Sequence, residues 1–168
     1  MKKIVFCIAL ALASSSALAD TNTYIGTYIG TSHSSQLSSG STVEGYIGHE
    51  WTSGSEATVG VEVGYEQYPG IQFVGGNAYA YKLDGVITNY FDNAQTFGIF
   101  GFLGINDSGA SGVGSSFGFD TGLGLRYNIA RNFDLRLRAQ YVRLGSNSGL
   151  GYNIDEDNIS LGLAYHFN

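Results

Sequence analysis

Apolar residues alternate with small or polar residues along most of the chain, in eight segments of about ten residues each. Alternation with a period of two is typical of a β-strand whose two faces meet different surroundings. Stretches rich in Gly, Ser, Asn and Asp separate the segments, as expected for turns and loops. The predicted strands run from Thr23 to Thr31, Thr42 to Thr52, Ala57 to Gln67, Ala78 to Thr88, Thr96 to Asn106, Phe117 to Asn128, Phe133 to Arg143 and Asn158 to Phe167.

The two faces of these strands differ in chemistry. One face carries the large apolar side chains, and Arg143, at a strand end, is its only charged residue. The other face interleaves Gly with Glu44, Glu50, Glu62, Glu66, Lys82, Asp84, Asp120, Arg126, Asp134, Arg136 and Arg138. Two folds explain this pattern: a soluble β-sandwich with a shared apolar core, and a transmembrane barrel whose apolar face contacts lipid.

The ends of the strands favour the membrane barrel. Aromatic residues collect there, as in the girdles of barrels at the two lipid-water interfaces: Trp51, Tyr65, Tyr79, Tyr81, Tyr127, Tyr141 and Tyr165. The predicted fold is therefore all-β, an eight-stranded antiparallel up-and-down transmembrane β-barrel.

The connections alternate between long and short, which is typical of outer-membrane barrels with long extracellular loops and short periplasmic turns. Four long connections are therefore expected on the outer side: Ser32 to Ser41, Tyr68 to Asn77, Asp107 to Ser116 and Leu144 to Asp157. The only proline, Pro69, falls in one of these loops, where it does not interrupt a ladder. Both termini are then periplasmic.

The start of the chain reads as a secretory signal peptide, residues 1–19, which leaves a barrel domain at residues 20–168. Lys2 and Lys3 precede an apolar run that is too short to span a bilayer, and small residues precede the expected cleavage site after Ala19. The only cysteine, Cys7, lies inside this segment, so the mature chain has no disulfide framework. Three scattered His without paired Cys give no zinc spacing, and no cofactor is expected.

Acidic residues outnumber basic residues. The 168-residue chain has 8 Lys and Arg against 14 Asp and Glu. Removal of the signal peptide takes two of the 8 basic residues and none of the 14 acidic ones, which leaves a formal charge of −8. Nucleic acid is not expected as a partner, because its binding needs a basic surface.

Several strands resemble those of the OmpA-type eight-stranded outer-membrane barrels, the small-barrel family that includes the OmpA transmembrane domain and OmpX-like proteins. The resembling stretches are Val59 to Glu66, Gly122 to Ile129, Leu135 to Tyr141 and Asp157 to Phe167, and the last carries an Asn-x-Ser-Leu-Gly-x-x-Tyr-x-Phe string. The resemblance implies recognition by the barrel-assembly machinery through the C-terminal strand. Because Asn168 ends the chain, that recognition would rest on Phe167.

The resemblance also implies a role for interior charges. In that family a Glu on strand three, a Lys on strand four and an Arg on strand seven form an internal salt-bridge gate, and Glu62, Lys82 and Arg136 match those places. The predicted interior charge network, a candidate gate, consists of Glu62, Lys82, Asp84, Arg126, Arg136 and Arg138. A structural plug explains the same residues and is favoured, because a sealed interior must pair its charges whatever the function.

The rest of the inner face predicts a filled lumen. Eight strands enclose a space that side chains just fill, which makes an open general porin improbable. Inward aromatic residues alternate with inward glycines: Tyr24, Tyr28, Tyr46, Phe100 and Phe102 against Gly60, Gly64, Gly98, Gly104, Gly122 and Gly124.

An enzymatic role is not expected. Some eight-stranded barrels modify lipid A, which requires a His-Ser pair with an acidic orienter. The sequence His33-Ser34-Ser35 is the only close candidate, and no carboxylate lies near it in sequence.

We therefore predict a small monomeric outer-membrane β-barrel of a Gram-negative bacterium. Its role would be structural and surface-exposed, with at most narrow, gated ion conductance, and its partners would be membrane lipid and lipopolysaccharide. The alternative is an adhesin or host-factor-binding barrel that acts through its extracellular loops. The loops contain few of the Arg and aromatic anchors that concentrate binding energy.

Overall fold

The computed structural model describes residues 22–34, 39–53, 56–71, 76–110, 113–144 and 154–167, and these form one closed barrel of eight strands. The strands are β1 (Thr23–His33), β2 (Gly40–Thr52), β3 (Ala57–Ile71), β4 (Gly76–Tyr90), β5 (Phe97–Ala110), β6 (Val113–Ala130), β7 (Phe133–Leu144) and β8 (Ile154–Phe167). Each strand pairs antiparallel with the next, and β1 pairs with β8 to close the barrel. The predicted fold class is confirmed, whereas the predicted signal peptide lies outside the described residues.

No helix in the described part of the chain is long and apolar enough to cross a membrane.

The strand bounds agree with the sequence prediction to within two residues at the end of the barrel that carries the short turns, and the strands are longer than predicted at the other end. β2 ends at Thr52 as predicted, whereas β3 continues to Ile71 and β4 already begins at Gly76. Backbone pairing can continue beyond the lipid without an apolar outer face, so the alternating pattern marks only the lipid-facing part of each strand. We call the two ends of the barrel the turn end and the loop end.

Pro69 lies within β3, not in a loop as predicted. The register between β3 and β4 shifts between Tyr68 and Ile71. A bulge of this kind leaves a residue out of the ladder, so the missing N–H of a proline costs no ladder hydrogen bond there.

The two predicted faces are the two surfaces of the barrel. Outward side chains such as Ile29, Leu103 and Leu123 are more than 60% exposed, with values of 62%, 67% and 63%. The predicted charged face points inward and is buried. Aromatic rings also contact one another on the outer surface near both ends, for example Tyr65 with Tyr81 at the loop end and Phe133 with Tyr165 at the turn end.

Inside the barrel, five large aromatic rings each lie over a glycine of the neighbouring strand. Tyr46 covers Gly26, its register partner, and a side chain at Gly26 would collide with the phenol ring. The same relation joins Tyr24 to Gly48, Tyr28 to Gly162, Phe100 to Gly124 and Phe102 to Gly122. The rings thus lie flat against the wall and fill the lumen from several sides.

Candidate functional site

The lumen contains more buried acids than buried bases. Among the described residues, eight carboxyl groups are buried inside the barrel: Glu44, Glu50, Glu62, Glu66, Asp84, Asp120, Asp134 and Glu156. Four cationic side chains are buried with them: Lys82, Arg126, Arg136 and Arg138. Most of these groups meet in two ion-pair clusters, one above the other along the barrel.

The turn-end cluster consists of Glu50, Glu62, Arg126, Asp134, Arg136 and His166. At its centre Arg136 Nη1 donates to Glu62 Oε1 at 2.6 Å, and its Nε donates to Asp134 Oδ1 at 2.9 Å. The hydroxyl of Tyr24 donates to the same Glu62 oxygen at 2.7 Å. Since Glu62 is on β3 and Arg136 on β7, this pair connects opposite walls of the barrel.

Arg126 extends the turn-end cluster towards the end of the barrel. Its Nη1 donates to Glu50 Oε1 at 2.6 Å, and its Nε lies 2.7 Å from Asp134 Oδ2. His166 Nε2 lies 2.8 Å from Asp134 Oδ2 and 2.9 Å from Arg126 Nη2. Glu50, Arg126 and His166 line a cavity of about 420 Å³ at the turn end, together with residues of the turns such as Gln95 and Arg131.

One turn beside this cavity is held by its own side chains. In the connection from β4 to β5, Asp92 Oδ1 accepts a hydrogen bond from the backbone N of Thr96 at 2.7 Å. Hydrogen bonds from Thr96 hold the pKa of the Asp92 carboxyl below its usual value. In the same turn, Gln95, the residue before Thr96, has a φ of 54°, in the left-handed region.

The loop-end cluster consists of Glu44, Glu66, Lys82, Asp120 and Arg138. Lys82 Nζ lies 3.1 Å from Glu44 Oε2, 3.2 Å from Glu66 Oε2 and 3.5 Å from Asp120 Oδ2. Arg138 Nη2 donates to the same Glu44 oxygen that Lys82 contacts.

Uncharged groups complete the loop-end cluster. The guanidinium of Arg138 lies 3.9 Å from the centre of the Tyr28 ring, within the range of a cation–π contact. Tyr68 and Asn158 donate to the two oxygens of Glu66 at 2.8 and 2.7 Å. Because every charge here has partners on other strands, the cluster connects several walls of the barrel.

The structure brings five of the six predicted network residues into contact with opposite charges and leaves one apart. Glu62 pairs with Arg136, and Lys82 pairs with three other carboxylates and not with Glu62. Asp84 is buried on the same inner face, but within the described ranges no cation lies within ion-pair distance of it. Lys82 and Asp84 are both on the inner face of β4, and the strand register alone does not predict that only Lys82 is paired.

The partner carboxylates of the network are Glu44, Glu50, Glu66, Asp120 and Asp134. All five lie on the charged inner face that the sequence predicts. Their period-two spacing was the sequence feature that could have added them to the predicted network. Glu156 was expected in the connection from Leu144 to Asp157, which is wrong. It lies in β8 and is only 2% exposed, because the strand continues past the apolar stretch.

Within the described residues, His33 and Ser34 of the candidate His-Ser pair each have another hydrogen-bond partner. Ser34 Oγ donates to the backbone oxygen of Asp155 at 2.8 Å, and Ser35 lies outside the described residues. His33 Nδ1 is instead 2.8 Å from Ser39 Oγ, at an exposed position.

Comparisons with known proteins agree with this architecture. The family described as outer membrane protein beta-barrel domain matches residues 5–167. No curated protein matches the chain.

Solved structures are similar in fold at low sequence identity. Ail, the attachment invasion locus protein of Yersinia pestis, is 15% identical with a TM-score of 0.60, covering 88% of this chain and 97% of that chain. Neisserial surface protein A is 17% identical with a TM-score of 0.57, covering 86% and 96%. The outer membrane enzyme PagL is 21% identical with a TM-score of 0.57, covering 86% and 99%.

Proposed function

The chain belongs to the outer membrane protein beta-barrel domain family, and we propose that it is a structural, surface-exposed barrel whose resting lumen is closed by its two ion-pair clusters. The observation that carries the proposal is the cross-lumen network: Glu62 on β3 meets Arg136 on β7, and Glu44 on β2 meets both Lys82 on β4 and Arg138 on β7. Side chains from facing walls therefore occupy the space that an open pore needs.

The energetics favour a closed resting state. Removing one partner of a buried ion pair typically costs about 3–5 kcal/mol, because the other charge stays buried without compensation. Opening the lumen would break several such pairs at once, so ions should pass only through brief, narrow openings. Those openings should prefer cations, because the interior has eight buried acids and four buried bases among the described residues.

Planar-bilayer recording tests this proposal. The purified wild-type barrel should show few and small openings. Arg138→Gln removes a buried partner of Glu44 and should give longer or larger openings if the cluster also acts as a gate. Arg143→Gln is the matched control, since that side chain is 43% exposed and pairs with Asp155 outside the lumen.

Two outcomes separate the alternatives. Unchanged conductance in Arg138→Gln would favour a structural plug over a gate and leave the closed barrel standing. A steady, large conductance of the wild-type protein would contradict the proposal.

Membrane arrangement and partners complete the proposal. The loop end would face the cell exterior, with both termini periplasmic. The protein would act as a monomer whose outer face meets lipid and lipopolysaccharide, and the barrel-assembly machinery would recognise β8. A non-enzymatic role is part of the proposal, supported by the Ser34 hydroxyl, which donates to the backbone oxygen of Asp155, and by His33, which contacts Ser39.

Surface attachment is a second candidate function. It is favoured by the β5–β6 hairpin, whose ladder continues to the pair Ala110 and Val113, beyond the predicted strand ends. Cells that display the wild-type barrel would then attach to host cells, and shortening this hairpin would remove attachment without loss of the folded barrel. Equal attachment by cells with and without the protein would exclude this function.

A further inference from the structure

Within the part of the chain that the structure describes, four buried oxygen atoms without a hydrogen-bond partner lie on four consecutive strands, β4 to β7. They are Asp84 Oδ1, Asn106 Oδ1, Asp120 Oδ1 and Gln140 Oε1. Their side chains are 2%, 1%, 0% and 4% exposed, in that order. Other described strands also carry buried atoms without a partner, but here two carboxylate oxygens and two amide oxygens follow one another on neighbouring strands. Leaving such atoms unpaired costs free energy, so this combination of oxygens points to a ligand that the protein side chains do not supply.

Glycines create the space between these groups. Gly104 is the register partner of both Asp84 and Asp120, and a side chain at Gly104 would collide with Asp84 Oδ1. The Asp84 carboxylate therefore leans across β5 towards Asp120. Asn106 leans in the same way over Gly118, whose Cβ position would be 2.7 Å from Asn106 Oδ1.

Gln140 completes the arrangement from β7. Its Nε2 donates to Asp120 Oδ2 at 3.0 Å, which holds the amide beside that carboxylate while its own oxygen remains unpaired. Asp120 thus uses one oxygen for Gln140 and Lys82 and keeps the other without a partner.

We propose that Asp84, Asn106, Asp120 and Gln140 form an oxygen pocket that binds one monovalent metal cation, of the size of Na⁺, inside the barrel. Carboxylate and amide oxygens are the ligands of hard cations. Two carboxylates supply the charge, and the two amides supply neutral oxygens.

Charge selects a monovalent ion over a divalent one. Lys82 Nζ lies 3.5 Å from Asp120 Oδ2, so one positive charge already stands beside the pocket and would repel a doubly charged ion. The interior as a whole is acidic, with eight buried carboxyl groups against four cationic side chains in the described residues. A bound cation offsets part of that excess. The proposal does not depend on whether the lumen conducts.

Equilibrium unfolding of the full-length mature barrel in lipid vesicles tests the site. Urea titrations are run at constant chloride concentration while Na⁺ is exchanged for choline, which is too large for the pocket. A ligand that binds only the folded state raises the folding constant. Once the ligand concentration exceeds its dissociation constant, the folding constant increases in proportion to the ligand concentration. In wild type, a plot of log folding constant against log Na⁺ concentration should therefore approach a slope of about 1.

Variants connect the effect to the pocket. Asp84→Asn should reduce the slope to about 0 by removing a charged ligand. Gln140→Leu removes one neutral oxygen and should move the onset of the slope to higher Na⁺ concentration. Asp157→Asn is the control, because that carboxylate is exposed on the outer surface and should leave the wild-type slope unchanged.

Two results would overturn the proposal. One is a wild-type folding constant that does not depend on Na⁺, as expected if a proton or water satisfies these oxygens. The other is an equal slope in wild type and Asp84→Asn. If Asp84→Asn does not fold, Asn106→Leu replaces it with the same expectation of a weakened Na⁺ dependence.

Discussion

At the scale of single residues, the inward glycines are as important as the charges, because they give the aromatic rings and ion pairs their space. Gly124 is the clearest case. A Cβ atom there would collide with the ring of Phe100 and lie 2.5 Å from the backbone oxygen of Leu137, which cannot move without disturbing the ladder.

We therefore expect Gly124→Ala to destabilise the barrel by about 1–3 kcal/mol through overpacking. The measurement is the free energy of unfolding in urea, in lipid vesicles. Gly45→Ala is the control, since no atom lies within 4 Å of its Cβ position. Equal unfolding free energies for the two variants would contradict the packing described for the lumen.

Residue identity predicted the inner face but not the contacts on it. The period-two pattern places Lys82 and Asp84 on the same side of β4, and both are buried inside. Only Lys82 reaches opposite charges, because its partners come from β2, β3 and β6 and depend on the stagger of the strands around the barrel. That stagger is a property of the closed sheet and is not encoded in the alternation of one strand.

At the scale of the strand, a new charge should destabilise the barrel much more at a lipid-facing position than at a lumen-facing one. Leu163 on β8 is 43% exposed on the outer face, whereas Gln140 on β7 is 4% exposed and lies beside Asp120. Arg on the lipid face costs about 2–4 kcal/mol at the bilayer midplane. Leu163→Arg should therefore lower the unfolding free energy or the assembly yield in vesicles much more than Gln140→Arg.

The comparison is direct because both variants introduce the same side chain. Equal tolerance of the two changes would mean that the assignment of faces is wrong.

Strand bounds were predictable at the turn end and not at the loop end. At the turn end, turn residues border the apolar pattern directly, so β3 begins at Ala57 as predicted. At the loop end, the ladder continues through polar and small residues, as in β6, which begins at Val113 and not at Phe117. Hydrogen bonding between neighbouring strands extends these ladders, and that contribution depends on the partner strand.

At the scale of the whole molecule, cysteine labelling can test the orientation of the barrel in the membrane. Ser39 lies at the loop end between β1 and β2, and Asn93 lies in the turn between β4 and β5. Removal of the signal peptide would leave a chain without cysteine, so single cysteines can be introduced at either position. On intact cells Ser39→Cys should react with a membrane-impermeant maleimide, and Asn93→Cys should react only after the outer membrane is permeabilised. If only Asn93→Cys reacted on intact cells, the orientation would be the reverse of the one proposed, with the turn end outside the cell.

Buried charges join opposite walls of the barrel through the lumen, and the pair of Glu62 and Arg136 is the clearest case. A double-mutant cycle of Glu62→Gln and Arg136→Gln, measured as unfolding free energy in vesicles, tests it most directly. Each single variant should lose about 3–5 kcal/mol, since it leaves the other charge buried without its partner. The double variant should lose clearly less than the sum, with a coupling energy of about 2–3 kcal/mol. Effects that add within about 0.5 kcal/mol would contradict the account, because they would show that the two side chains do not meet across the lumen.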